Sequence, residues 1–212
     1  MKSLLILFIV GISLTGCASH NHGPNWMSDA GQPHLWGFYS GSPETRWNPD
    51  GRTMTLLSEL RYTDPEGEVW IAPPGSVVDG ASIPRSLWTV MGGPFEGKYR
   101  NASVLHDVSY DEHNRPWQDC DRMFYNAMRC SGVSAVEAKT MYYALYKFGH
   151  HWKFPVRRAK PVKVNGETVA RGEEVPRAIP VDTNQINNAR DWIRDNDPSL
   201  DAIERRVEGE SR

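Results

Sequence analysis

Three cysteines are too few for a disulfide-knit scaffold, and an odd number cannot all pair with one another. No apolar run reaches the about 20 residues needed to cross a bilayer as a helix. Neither sign of charge dominates: 24 Lys and Arg face 26 Asp and Glu, a formal net charge of −2. That excludes the basic footprint of a dedicated nucleic-acid binder. There is no internal repeat and no low-complexity tract. What is present is ordinary for a globular chain of 212 residues, with 39% apolar and 24% charged residues. Eight Trp, eight Tyr and six Phe supply bulk for a sizeable core.

The longest apolar run, Leu4 to Leu14, follows Lys2 and ends in Leu14-Thr15-Gly16-Cys17. A short apolar run behind a positive charge has the form of a secretory signal. Small residues before a cysteine resemble the bacterial lipobox. That resemblance implies cleavage after residue 16, lipidation of Cys17 and an outer-membrane address, with the lipid anchor holding the chain to a membrane. An ordinary signal peptide or an apolar anchor is the alternative. Residues 17–34, with His20, His22, Gly23, Pro24 and Gly31, read as a flexible tether whose histidines are solvated. Cys120 and Cys130 lie ten residues apart on one expected helix, about 15 Å. Disulfide bonding needs Cα atoms within about 7 Å, so two free thiols are expected.

The expected fold class is α+β: a small antiparallel sheet, then a three-helix bundle, then a C-terminal hairpin and short helices. Strands are expected over 35–40, 53–62 and 68–72, the last two joined by the turn Asp64-Pro65-Glu66-Gly67. A short helix opens at Ile83-Pro84-Arg85. Asn101 can cap a helix over 102–113, Pro116 stands near the start of one reaching Cys130, and Ser134 with Glu137 forms a capping box for one ending at Phe148-Gly149. Asn165-Gly166 between alternating residues marks a hairpin. Polar helices over 183–195 and 199–207 follow, and the last five residues are expected to fray. The domain limits are then 1–16, 17–34, 35–152 and 153–212.

The densest segment holds Asp79-Gly80-Ala81-Ser82-Ile83-Pro84, His106-Asp107-Val108-Ser109-Tyr110 and Asp121-Arg122-Met123-Phe124, followed by Tyr142, Phe148-Gly149 and Trp152. These motifs, in this order over about residues 33–152, resemble the bacterial and phage family of domain of unknown function 1353. That family implies no settled chemistry. His-Asp-x-x-Tyr on one helix and Cys-Asp-x-x-Phe on the next also resemble the helix pair of secreted phospholipase A2. That second resemblance implies His106 as the base that activates water, Asp107 as a calcium ligand, and Tyr110 and Asp121 as the pair orienting the imidazole. Gly92, Gly93 and Gly97 stand where a glycine-rich calcium loop is needed, at shorter spacing, and the flanking cysteines are replaced by Val104 and Leu105.

Elementary geometry agrees with part of this. His106 and Tyr110, four apart, share a helix face, and Asp107 lies about 100° round the axis. A carboxylate on a neighbouring helix can hold one imidazole nitrogen and leave the other to take a proton. Ester hydrolysis on a lipid or envelope substrate, with calcium, is the sharp expectation. Other readings stay open. Asp79, Ser82 and His106 could form a Ser-His-Asp set, though Ser82 before Ile83-Pro84 suits a helix cap, and Asp79 suits a tie to the Gly80 turn. His106, Asp107, Asp111 and His113 could bind a transition metal. His150-His151 suits a helix end. Finally, His106, Tyr110 and Asp121 could be a buried network that only fixes two helices, in a binding or structural module of the envelope.

Overall fold

The computed structural model describes residues 35–80, 93, 95, 97–154, 161–164, 167–170, 172–175 and 180–210. The expected signal, tether and lipidation site (Cys17), the helix opening at Ile83, and Ser82 and Gly92 lie outside them.

The fold is α+β, with small antiparallel sheets ahead of the helices. Strands β1 (Phe38–Ser40), β4 (Leu60–Thr63) and β5 (Val69–Ala72) form one sheet in the order β1-β4-β5. Strands β2 (Thr45–Trp47), β3 (Met54–Leu56) and β6 (Val77–Val78) form a second in the order β2-β3-β6. The expected single strand over 53–62 is therefore two strands in different sheets. Alternation holds through Met54, Leu56, Leu60 and Tyr62, all buried, and lapses only at Leu57-Ser58, a lapse short enough to read as one strand. Backbone pairing makes the break: Leu57 N–H turns to the Glu44 carbonyl, and the Ser58 hydroxyl accepts the Glu44 N–H. The β4–β5 turn forms as its residues dictate. Asp64 accepts the N–H groups of Glu66 and Glu68 and the Trp70 indole N–H, and Gly67 takes φ +88°.

Three helices carry the core: α1 (Arg100–Glu112), α2 (Trp117–Cys130) and α3 (Ala135–Phe148). Helix α1 lies against strands of both sheets and packs beside α2, which packs beside α3. Asn101 does not cap α1; Tyr99 precedes the helix and Asn101 sits inside its first turn. Ser134 caps α3, accepting the Glu137 N–H at 3.2 Å. Gly149 ends α3 with φ −68°, outside the left-handed region. Glycine is required there for space, because a Cβ would stand 2.5 Å from the Leu145 carbonyl oxygen. Cys120 and Cys130 are both on α2 and both free.

Strand β7 (His151–Lys153) pairs with β10 (Glu173–Val175), and β8 (Pro161–Val164) pairs with β9 (Glu167–Ala170) around residues 165–166. His151 thus belongs to a strand, not a helix end. Its ring stacks on Trp117 at 3.4 Å between centroids. Helices α4 (Thr183–Asn196) and α5 (Leu200–Glu210) pack on α3 and bury Ile186, Ala189, Ile193, Ile203 and Val207.

Ion pairs fasten that C-terminal pair. Lys139 reaches Asp197 at 2.5 Å, Arg122 reaches Asp201 and Glu204, Tyr142 donates to Glu204, and Lys147 and Tyr143 both donate to Glu210. The chain end expected to fray is tied down as far as Glu210. Burial pushes the Glu210 carboxyl up, but donors from Lys147, Arg206 and Tyr143 outweigh it and hold it at about 2. Lys139 and Arg122 likewise hold Asp197 and Asp201 low. A carboxylate whose folded pKa is depressed adds stability above its unfolded value, and that stability is lost as pH falls through the folded value. Hydrogen exchange at the Ile203 and Val207 amides should therefore quicken, relative to α2, between about pH 4.5 and pH 2. Glu210→Gln should flatten that dependence, and an equal pH response in the variant would contradict it.

Candidate functional site

Helices α1 and α2 meet where His106 faces Asp121. His106 Nε2 and Asp121 Oδ1 are 3.0 Å apart, and the Tyr110 hydroxyl donates to the same oxygen at 2.6 Å. A carboxylate only accepts, so Nε2 donates its N–H to Asp121. His106 Nδ1 and, in the same cluster, Asp121 Oδ2 are buried with no hydrogen-bond partner among the described residues. The site is sealed: His106 is 1% exposed, Asp121 0% and Tyr110 7%. The imidazole is not in the open hollow that the hydrolytic expectation calls for.

Rings hold this geometry. His106 lies 4.0 Å from the Tyr110 ring and 4.7 Å from Phe124, between centroids. Trp152 of β7 meets Tyr110 edge-on at 4.9 Å, stacks on His113 at 4.3 Å, and donates its indole N–H to the Arg115 carbonyl. Gly172 is close-packed on that indole, where a Cβ would fall 2.1 Å from Trp152 Cδ1. The sequence motifs contain Phe124 and Trp152 but assign them no role. Phe124 was accessible to reasoning, standing three residues after Asp121 on the same face of α2. Trp152 was not, because its placement depends on the β7–β10 pairing.

The remaining candidates separate. Asp107, 6% exposed, does not join His106; its Oδ2 accepts the Gly80 N–H at 2.6 Å. The Asp79 carboxylate pairs with Arg52 at 2.5 Å, and the residues after Gly80 that it was expected to tie lie outside the described residues. The Ser-His-Asp set thus lacks its Asp: the carboxylate on His106 comes from α2. Ser82 is outside the described residues. Among the described residues no group of three His, Cys, Asp or Glu comes together to hold a metal ion. The same holds for the set of His106, Asp107, Asp111 and His113.

Calcium, implied by the second resemblance, takes about six or more oxygens. Around Asp107 the described residues offer one carboxylate, already accepting a backbone N–H. The Gly93 carbonyl accepts the Tyr99 hydroxyl at 2.6 Å. Gly92 is outside the described residues. Among the described residues this donor set does not fit calcium.

Fold and site together define an α+β protein in which two neighbouring helices share a sealed His–Asp–Tyr cluster. Residues 54–145 match the family described as "Protein of unknown function (DUF1353)", which supports the family expected from the three motifs. Two proteins of Sinorhizobium fredii (strain NBRC 101917 / NGR234) are similar. "Uncharacterized protein y4jT" is 36% identical over 149 residues, 67% of this chain and 44% of that protein. "Uncharacterized protein y4iH" is 37% identical over 107 residues, 50% of this chain and 45% of that protein. The aligned part thus spans less than half the length of either relative. No solved structure matches the chain significantly. No helix among the described residues is long and apolar enough to cross a membrane.

Proposed function

We propose that this chain is a lipid-anchored protein of the bacterial envelope, phage-related in its domain, whose His106 serves as the base in hydrolysis of a lipid or envelope ester. The address rests on the signal-like run ending at Cys17. The chemistry rests on one observation: His106 is held by one nitrogen while the other, Nδ1, is buried without a partner. A network built only to join helices satisfies its polar atoms, because an orphaned buried group costs about 1–3 kcal/mol. The proposed reaction requires the seal over the ring to open; Nδ1 then takes a proton from water as the water oxygen bonds to the ester carbonyl carbon. Asp121 stabilises the resulting imidazolium and keeps the ring oriented, with Tyr110 fixing the carboxylate. Collapse of the tetrahedral intermediate breaks the ester C–O bond, and the imidazolium returns the proton to the leaving alkoxide.

The test is fatty-acid release from phosphatidylglycerol vesicles by the full chain and its His106→Asn variant. Loss of a base predicts a fall of about 10²–10⁴-fold with the fold retained. Equal release by both proteins would refute the reading. A second reading follows from the seal itself: a ring 1% exposed suits a non-catalytic envelope module in which the cluster is architecture. It predicts no release by either protein and a lower melting temperature for His106→Asn.

A further inference from the structure

We propose that Asp107 is a positioning residue: it anchors the turn at Gly80 to helix α1, beside His106, in place of holding calcium. Gly80 is buried and takes φ +64°, a conformation that side chains rarely adopt. A buried backbone N–H must find an acceptor. Neither sheet supplies one, since β6 ends at Val78. The Asp107 carboxylate does, across 27 residues of sequence and at 2.6 Å, the short length of a charge-assisted bond. Arg52 holds the preceding Asp79, so two consecutive residues are each pinned, one by the residue two before β3 and one by α1.

This explains three features at once. An acidic residue follows His106 on a buried helix face; a glycine follows Asp79; and the Asp79-Gly80 motif and the His106-Asp107 motif occur in one chain. The two motifs are the two ends of one hydrogen bond. Asp107 then acts through the backbone, fixing where the chain leaves β6 against the helix that carries His106. The inference stands whether or not His106 is a base, and its test needs no substrate.

The experiment follows the Gly80 amide by NMR in the wild type, Asp107→Asn and Asp107→Ala, each with and without calcium chloride. In the wild type the Gly80 amide should exchange slowly and calcium should leave its resonance and the melting temperature unchanged. Asp107→Ala should speed its exchange by about tenfold or more relative to amides of α3, the loss of a bond to a charged acceptor. Asp107→Asn, which keeps an acceptor oxygen, should shift the Gly80 resonance and speed exchange less. If the Ala variant does not fold, the Asn variant alone must show the shift. An unmoved Gly80 amide in the folded variants overturns the proposal. So does a calcium-induced rise in melting temperature that Asp107→Asn abolishes.

Discussion

Asp121→Ala should destabilise the protein by about 3–5 kcal/mol, the cost of breaking a buried charged pair by removing one partner. The carboxylate is fully buried and takes two donors on one oxygen, from Tyr110 and His106. Its loss removes the buried acceptor shared by the Tyr110 phenol and the His106 N–H. For a chain of this size each kcal/mol is about 2–4 °C, so the melting temperature should fall by about 6–20 °C. Asp121→Asn keeps an oxygen for both donors and should cost far less. It also removes the charge that an imidazolium needs. A variant that melts near the wild type yet has lost ester hydrolysis would separate chemistry from architecture. A melting temperature for Asp121→Ala within about 2 °C of the wild type would show that the cluster carries little stability.

Phe124→Ala should cost about as much, about 3–5 kcal/mol, as a buried aromatic ring replaced by a cavity. Phe124 is fully buried on α2 and packs on His106. Phe124→Leu, close in volume, should cost about 1 kcal/mol. The two differ in a second respect. A cavity with a polar atom in its wall and room for water becomes hydrated, and His106 Nδ1 is such an atom. An ordered water at Nδ1 should therefore be seen in a crystal structure of Phe124→Ala and be absent from that of Phe124→Leu. Urea unfolding measures the stability difference, and equal midpoints for the two variants would contradict it.

Much of this was legible from residue types. Ser134 and Glu137 announce the start of α3, Asp64 and Gly67 the β4–β5 turn, and Asn165-Gly166 the β8–β9 pair, because each is a local rule satisfied within a few residues. The i,i+4 spacing of His106 and Tyr110 places both on one face of α1, and the next helix brings Asp121 to them. What escaped were contacts between distant segments. The break at Leu57-Ser58-Glu59 obeys Glu44, not its own alternation. Strand β10 exists because β7 pairs with it. Asp107 reads as a metal ligand from its place beside His106, yet its partner is an amide 27 residues away. The C-terminal helices look weak as isolated sequences because what fastens them, Lys139, Lys147 and Arg122, lies on α2 and α3.

Those fastenings bear on where the cooperative unit stops. The matched family segment ends at residue 145, inside α3 and before Lys147. A piece trimmed to that limit would shed the last turn of the helix and all the acidic partners on 197–210. It would leave Lys139 without its counter-ion and bare the apolar flank on which Ile186, Ile193 and Ile203 rest. The segment that matches the family and the segment joined by these contacts thus have different borders, and expression work on this chain is best guided by the second.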